Sequence, residues 1–281
     1  MQQLIPRLAR TLALLSLGLL LAVSSAAAQT PAPSLLQTVL KRGKLIVGTR
    51  SSAVGFSFKD QKGDLTGFDI DLARLLAQQI FKDPTKVEFV ILPGAADRVP
   101  AIVSGRVDMV LSAFTPYPER VQVIDFSTPY ALSDSVFVVR ADSPYRKNAD
   151  LAGKTIVARQ GADLEQMIHA AVPSAEINGF PEISDAFLAF RQGRGEAFFY
   201  ERAAALYMMK SSPTRMRVIE DADNPVAASG IAIGLRQGDQ VWTNYINWLL
   251  YDLKANNKIQ QLHRKWFESD ALMPNWIRQP L

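Results

Sequence analysis

Cysteine is absent from the 281 residues, and histidine occurs only at His169 and His263. The absence of cysteine excludes disulfides, thiolate metal sites, iron–sulfur clusters and a cysteine nucleophile. Two isolated histidines leave little for a metal site, so we predict neither a metal nor a cofactor. The 31 basic and 27 acidic residues nearly balance, and no dense block of lysine or arginine occurs. Nucleic acid is therefore not an expected partner.

A long apolar stretch occurs only near the N-terminus, from Leu12 to Val23. Arg7 and Arg10 precede it, and the small residues Ala26-Ala27-Ala28 follow it. These are the three parts of a cleavable signal peptide. The stretch is shorter than the about 20 residues that a membrane-spanning helix needs, which disfavours an uncleaved anchor. We predict cleavage after Ala28 and a soluble, periplasmic product.

Strand-like and helix-like segments alternate through the rest of the chain, which predicts an α/β protein with parallel sheets. The same β-α-β rhythm occurs twice and predicts two lobes, with boundaries near 136–142 and 224–231. Ligands in such folds bind beyond the carboxyl ends of the strands, which points to the cleft between the lobes. The segments predicted are strands at 45–48, 86–92, 107–112, 136–140, 154–158, 176–178, 196–200, 217–220 and 231–235, a hairpin at 56–66, and helices at 69–81, 98–104, 118–122, 164–171, 185–192, 203–210, 240–256 and 259–267.

Six short motifs follow one another in an order and spacing that are specific in combination. They are GKLIVG at 43–48, GDLTGFDIDLA at 63–73, GRVD at 105–108, PER at 118–120, DFSTPY at 125–130 and KWF at 265–267. With them the chain resembles the periplasmic solute-binding proteins of polar amino acid ABC transporters, family 3, over nearly all of 35–270.

This resemblance implies a two-lobe periplasmic-binding-protein fold of type II, with two hinge strands and the ligand in the cleft between the lobes. It also implies that the C-terminal helices return to the first lobe. The domain organisation that we expect is a signal peptide at 1–28, an N-terminal leader at 29–43, lobe 1 at 44–135 and 230–281, and lobe 2 at 136–229 with a hinge strand at each end.

Within the family, the chain looks most similar to the glutamate/aspartate-binding branch. That branch carries an arginine at each of the places that Arg50 and Arg98 occupy here. The common family pattern instead has an acidic residue near 50 and aromatic residues near 53 and 95, where this chain has Ala53 and Ala95. An aromatic sandwich over the ligand side chain is therefore not expected, and basic or large apolar amino acids are disfavoured as ligands.

The resemblance also implies a role for each candidate residue. Arg120 would bind the ligand α-carboxylate with two parallel hydrogen bonds, and Thr115 and Glu201 would bind its ammonium group. Arg50 and Arg98 would converge on a side-chain carboxylate, since two cations near one pocket repel each other unless an anion lies between them. The simpler alternatives are pairs of Arg120 with its neighbour Glu119, of Arg50 and Arg98 with surface aspartates such as Asp97 or Asp60, and of Glu201 with Arg202 or Arg194.

Three positions depart from the family pattern. Ala113, beside Ser112, replaces a serine of the acidic branch and leaves only its carbonyl for the ligand. Glu201 is one methylene longer than the family's aspartate. Gly161-Ala162-Asp163 lacks the hydroxyl groups that help bind the α-carboxylate at a helix N-terminus. Asp163 either caps the helix at 164–171 or faces the cleft, where it would favour a ligand with an extra cationic group.

We expect a monomeric periplasmic receptor that captures glutamate or aspartate, closes by a hinge motion and delivers the ligand to an ABC permease. The alternative is a periplasmic dehydratase on the same fold, which acts on a prephenate-like acid with Glu201 or Asp163 as general acid. A third possibility is a ligand-loaded signalling partner of a membrane sensor.

Overall fold

The computed structural model describes residues 33–221, 226, 229–267 and 272–279, and the segment from Ser34 onward forms one compact unit. The predicted signal peptide lies outside these residues. Within them, no helix combines the length and the apolar character that crossing a bilayer requires. The helices are α1 Leu35–Arg42, α2 Phe68–Phe81, α3 Arg98–Val103, α4 Pro118–Val121, α5 Ala162–Ala171, α6 Ile183–Arg191, α7 Arg202–Lys210, α8 Gln240–Ala255, α9 Lys258–Phe267 and α10 Asn275–Arg278.

Two five-stranded sheets form the centres of two α/β lobes, as the repeated rhythm predicts. The sheets are mixed rather than wholly parallel, because β9 and β13 in one and β7 and β15 in the other pair in antiparallel fashion. The first sheet has the strand order β5-β1-β6-β15-β7 and the second has the order β11-β10-β12-β9-β13. The strands are β1 Leu45–Thr49, β2 Ser52–Ala53, β3 Ser57–Lys59, β4 Leu65–Thr66, β5 Val87–Ile91, β6 Met109–Val110, β7 Asp125–Phe126, β8 Ala131–Ser133, β9 Ser135–Arg140, β10 Thr155–Arg159, β11 Glu176–Phe180, β12 Ala197–Glu201, β13 Met216–Val218, β14 Ser229–Ile231 and β15 Gly234–Leu235.

The parallel pairs determine where side chains can meet. In the first sheet β1 runs parallel to β5 and β6, and in the second β10 runs parallel to β11 and β12. The carboxyl ends of β1 and β6 therefore share one edge of the first sheet. Those of β10 and β12 share one edge of the second.

Two strands connect the lobes. The chain leaves the first sheet through β8 and returns through β14, and these two strands pair with each other in antiparallel fashion. The predicted single strand at 231–235 is split, because the chain changes sheets there. The Ile233 N–H donates to the Ser127 hydroxyl at 2.9 Å, and the Ser127 N–H donates to the Ile233 carbonyl at 3.0 Å. This exchange separates β14 in the connection from β15 in the first sheet.

Helix α2 shows how the apolar pattern produces the core. Leu72, Ala73 and Leu76 are fully buried in one large cluster, which also contains Trp242 of α8 and Phe267 of α9. The C-terminal helices thus pack into the same core as the first part of the chain. The helix begins one residue earlier than the pattern predicts.

The structure contains a helix, α1, that the sequence patterns do not predict. The Ser34 hydroxyl accepts a hydrogen bond from the Leu36 N–H, and Gly43 ends the helix in the left-handed conformation. Ser34 also donates to Asp239, the N-cap of α8, at 2.7 Å. Caps and a long-range contact thus stabilise a short helix that buries only Val39 completely.

We expect Gly67→Ala to destabilise the fold strongly. Gly67 has φ of 129°, and a Cβ atom there would lie 2.1 Å from the carbonyl oxygen of Phe56. Gly63→Ala is the matched control, since Gly63 also has a positive φ, 86°, but no atom within 4 Å of a Cβ. In urea titrations the free energy of unfolding should decrease by about 2–4 kcal/mol for Gly67→Ala and by about 1 kcal/mol for the control. Equal losses would contradict the steric explanation.

Candidate functional site

Three arginines lie close enough to influence one another in the first lobe. Arg50 directly follows β1, Arg98 opens α3 and Arg120 lies in α4. Arg98 is only 6% exposed. Burial, followed by the positive charges of Arg50 and Arg120, lowers the pKa of Arg98 to about 10, so its guanidinium stays charged at neutral pH. The three predicted cations thus lie near one another.

The ring of Phe114 lies near two of these cations. The Arg98 guanidinium carbon is 5.6 Å and that of Arg120 is 4.7 Å from its centroid. Arg120 is also 4.7 Å from the Tyr117 ring, and its Nη1 donates to the Thr115 carbonyl at 2.7 Å. Contacts with ring faces and a carbonyl stabilise a guanidinium without neutralising it. Within the described chain, the alternative pair of Arg120 with its neighbouring glutamate does not form.

Several buried polar atoms at this edge of the first sheet have no hydrogen-bond partner among the described residues. They are the Nε atoms of Arg50 and Arg98 and the hydroxyl oxygens of Thr49 and Ser112. Thr49 ends β1 and Ser112 follows β6, so both lie at carboxyl ends of neighbouring parallel strands. Buried polar groups are nearly always hydrogen-bonded, and an unpaired one costs about 1–3 kcal/mol. Their grouping is what a site for a polar ligand requires.

Asp69 is the buried carboxylate beside the arginines, and sequence reasoning missed it. Its oxygens accept hydrogen bonds from the Tyr130 hydroxyl at 2.6 Å and from the Ala113 N–H at 2.7 Å. Burial raises the pKa of Asp69 to about 6, although these hydrogen bonds and the charges of Arg50 and Arg98 act in the opposite direction. Within the motif at 63–73, the signal was an aspartate flanked by apolar residues on both sides.

Ala113 has an unusual backbone conformation for a residue with a side chain. Its φ is +44°, in the left-handed region. Such a conformation costs of order 1–3 kcal/mol and persists only where surrounding contacts impose it. The hydrogen bond from its N–H to Asp69 is one such contact. Asp69 therefore holds the segment 112–115, which carries three of the predicted site residues.

The second lobe contributes Gly161 and Glu201 at one edge of its sheet. Gly161 comes two residues after β10 and is the N-cap of α5, and Glu201 ends the neighbouring β12 with an exposed side chain. Among the described residues the alternative pair of Glu201 with Arg202 does not form, since Arg202 pairs with Asp134 and Glu220 instead.

The prediction that Asp163 caps α5 is wrong. The helix begins at Ala162 and its N-cap is Gly161, so Asp163 lies within the first turn. A residue inside the turn has helical backbone angles and cannot be the cap. The side chain of Asp163 lies outside what the structure describes.

The structure therefore brings the first-lobe candidates together and places the others on the second lobe. Arg98 and Arg120 contact Phe114 of the segment 112–115, in which Ser112 is buried and Thr115 is half-buried. Arg50 lies near enough for its charge to act on Arg98 and Asp69. Gly161 and Glu201 lie on second-lobe strand ends. Over the described residues, no group of histidine and acidic side chains is arranged to hold a metal ion.

Comparison with known proteins identifies the family. Bacterial extracellular solute-binding proteins, family 3, match residues 45–269, so the chain belongs to this family. The L-cystine-binding protein TcyJ of Escherichia coli (strain K12) is 29% identical over 240 residues, which cover 84% of this chain and 87% of that protein. The arginine-binding extracellular protein ArtP of Bacillus subtilis (strain 168) is 31% identical over 236 residues, 81% of this chain and 87% of ArtP.

A solved structure shows the same architecture. The ancestral cationic amino acid solute binding protein AncCDT-1 is 32% identical and matches with a TM-score of 0.73, over 83% of this chain and 100% of that one. A second structure of AncCDT-1 presents it as a precursor of cyclohexadienyl dehydratase. The predicted two-lobe fold of type II is thus confirmed.

We expect the stability of this protein to fall as pH rises through the titration of Asp69. Between about pH 4 and pH 6 the carboxyl is protonated in the folded state only, so unfolding releases a proton. The asparagine side chain of the Asp69→Asn variant cannot ionise, so the variant does not show this decrease in stability with rising pH. The free energy of unfolding of the wild type, minus that of the variant, should decrease by about 2–3 kcal/mol from pH 4 to pH 7.5 in urea titrations.

Tyr130→Phe provides a second variant for the same test. It removes a hydrogen bond that lowers the pKa of Asp69, so the loss of stability should extend to higher pH than in the wild type. If the free energies of unfolding of the wild type and of Asp69→Asn change in parallel over the whole pH range, the raised pKa of Asp69 is contradicted.

Proposed function

We propose that this chain is a periplasmic binding protein that captures an acidic amino acid, glutamate or aspartate, between its lobes and delivers it to an ABC permease. The observation that supports this ligand class is the group of Arg50, Arg98 and Arg120, with the Nε atoms of Arg50 and Arg98 buried and unpaired. Membership of the family supports the function as an amino acid receptor. The three arginines of this chain support an acidic amino acid as the ligand.

The charge balance favours an anion. The carboxylates that act on Arg98 are buried Asp69, whose pKa burial raises to about 6, and exposed Asp97. Neither forms an ion pair with Arg98 among the described residues, so positive charge exceeds negative charge around the three guanidinium groups. Cations in a partly dry site need a counter-charge. A ligand with two carboxylates and one ammonium group supplies a net negative charge to this cluster.

The proposed arrangement uses each group for the chemistry that it can perform. Arg120, held by the Thr115 carbonyl, binds the α-carboxylate, while Arg50 and Arg98 bind the side-chain carboxylate together with the Ser112 hydroxyl. From the second lobe, Glu201 binds the ligand ammonium when the lobes close. We propose three remaining contacts. The Thr115 hydroxyl and the Ala113 carbonyl bind the ammonium group, and the N-terminus of α5 at Gly161 binds the α-carboxylate.

The relatives named above bind L-cystine and arginine, whereas the residues of this chain disfavour a cationic ligand. A cationic ligand side chain would meet Arg50 and Arg98 at short range, which is repulsive. Ala53 stands where the common pattern has an aromatic residue, and it is buried in the core of the first lobe. No aromatic ring is therefore available at this position to attract a cationic ligand side chain, and the rings of Phe114 and Tyr117 already contact Arg98 and Arg120.

A second candidate function is a dehydratase for a prephenate-like acid. The kinship with AncCDT-1, presented as a precursor of cyclohexadienyl dehydratase, favours it. A prephenate-like acid also carries two carboxylates, and the exposed carboxylate of Glu201, or the carboxylate of Asp163, would act as the general acid. Incubation with prephenate, followed by ultraviolet absorbance of the product, separates the two functions. Conversion of prephenate would support the dehydratase function and contradict the receptor function. No conversion, together with binding of glutamate, would support the receptor.

We expect Arg98→Gln to weaken binding of L-glutamate by about 30- to 100-fold, since a charged hydrogen bond to the ligand is lost. Isothermal titration calorimetry on ligand-free protein measures the effect. Arg74→Gln is the matched control, because Arg74 is half exposed on α2 and pairs with Asp71. Circular dichroism confirms that both variants fold. An affinity of the folded Arg98→Gln variant equal to that of the control would overturn the assignment.

A further inference from the structure

The side chain of Arg202, the first residue of α7, joins two acidic residues from distant parts of the chain. Its Nε donates to both carboxylate oxygens of Asp134 at 2.9 and 2.8 Å, and its Nη1 donates to Glu220 Oε1 at 2.6 Å. Its backbone N–H donates to the Asp134 carbonyl at 2.9 Å. The residue is only 8% exposed. Charge-assisted hydrogen bonds to two carboxylates hold a buried guanidinium in one orientation.

Both partners lie on the connections between the lobes. Asp134 stands between β8 and β9, where the chain enters the second lobe. Glu220 comes two residues after β13, where the chain leaves that lobe again. The Ile219 N–H donates to the Phe137 carbonyl at 2.8 Å, which keeps the outgoing segment beside β9. Arg202 therefore ties the incoming connection to the outgoing one.

The residues on either side of Arg202 are Glu201, which we propose as a ligand contact, and Ala203, which contacts the first lobe. Glu201 precedes it and lies opposite Ser135 in the pairing of β12 with β9. Ala203 follows it and is buried in the same core cluster as residues of the first lobe. A Cβ atom on Gly55 of the first lobe would lie 3.2 Å from the Ala203 carbonyl oxygen. One short segment thus combines the proposed ligand contact Glu201, the link between the two connections and a contact with the first lobe.

We propose that Arg202 is a positioning residue that fixes Glu201 and couples its position to both connections between the lobes. Hydrogen bonds to Asp134 and Glu220 keep this guanidinium charged despite its burial. A cavity of about 210 Å³ lies beside the three side chains and is lined by all of them. Because packing does not fill the space on this side of Arg202, the ion pairs supply the restraint there, in addition to the strand pairing of Glu201 and the burial of Ala203.

The first test needs no ligand. The chain has no cysteine, so Gln37→Cys and Gln192→Cys place spin labels at exposed positions of α1 and just after α6. Double electron–electron resonance then measures the distance between the lobes. Arg202→Lys cannot keep both carboxylates in the same geometry, and the distance distribution should become broader.

Arg140→Lys is the matched control for this measurement. Arg140 lies in β9 of the same lobe and donates to the Gly195 carbonyl at 3.2 Å, so its distribution should be unchanged. Glu220→Gln is the second variant, since its 63% exposed side chain can lose its charge while Arg202 stays in place. Distributions of Arg202→Lys and Glu220→Gln that both superpose on the control would overturn the coupling to the connections.

The second test rests on the proposed function and uses L-glutamate as the probe. Arg202→Lys should weaken its binding about tenfold in the wild-type background and much less in a Glu201→Gln background, because coupled residues are not additive. If Arg202→Lys weakens L-glutamate binding equally in both backgrounds, Arg202 does not act through Glu201 and has a structural role only. If L-glutamate binds neither the wild type nor the variants, the proposed ligand fails, and the distance measurement still decides on the link between the connections.

Discussion

Arg50, Arg98 and Arg120 repel one another, and the surrounding part of the first lobe holds them in place against that repulsion. Parallel strands place Arg50 and the segment 112–115 at the same edge of the sheet. The ring of Phe114 contacts two of the three guanidinium groups and carries no charge of its own. Asp69 supplies one carboxylate, at the cost of its own burial. The arrangement remains richer in positive charge, which an anionic ligand would balance.

The same constraint explains the backbone near the cluster. Asp69 can face the arginines only while Tyr130 and the Ala113 N–H satisfy its oxygens. Ala113 adopts its left-handed conformation in that hydrogen bond. In the second lobe Arg202 plays a similar role, because its hydrogen bonds to Asp134 and Glu220 hold the end of β12. In both lobes a buried charge thus orients the segment that carries the candidate ligand contacts.

Local sequence patterns predicted the elements that depend on local periodicity. Helix α2 was located to within one residue, since its buried face repeats at helical spacing. Helix α1 was missed because a cap and a contact with Asp239, 205 residues away, stabilise it. Asp69 was missed for a related reason, since its partners lie 44 and 61 residues away in the chain. The arginines were found through the family resemblance, and the structure adds their mutual influence and their unpaired Nε atoms.

We propose that the cluster of Arg50, Arg98 and Arg120 selects a ligand by its negative side chain. Calorimetric titration of ligand-free protein with L-glutamate and L-glutamine tests this selectivity, because these two ligands have nearly the same shape and differ in one charge. We expect L-glutamate or its shorter homologue L-aspartate to bind at least about 100-fold more tightly than L-glutamine, which corresponds to about 2.7 kcal/mol. Equal or tighter binding of L-glutamine, or of L-arginine, would contradict it.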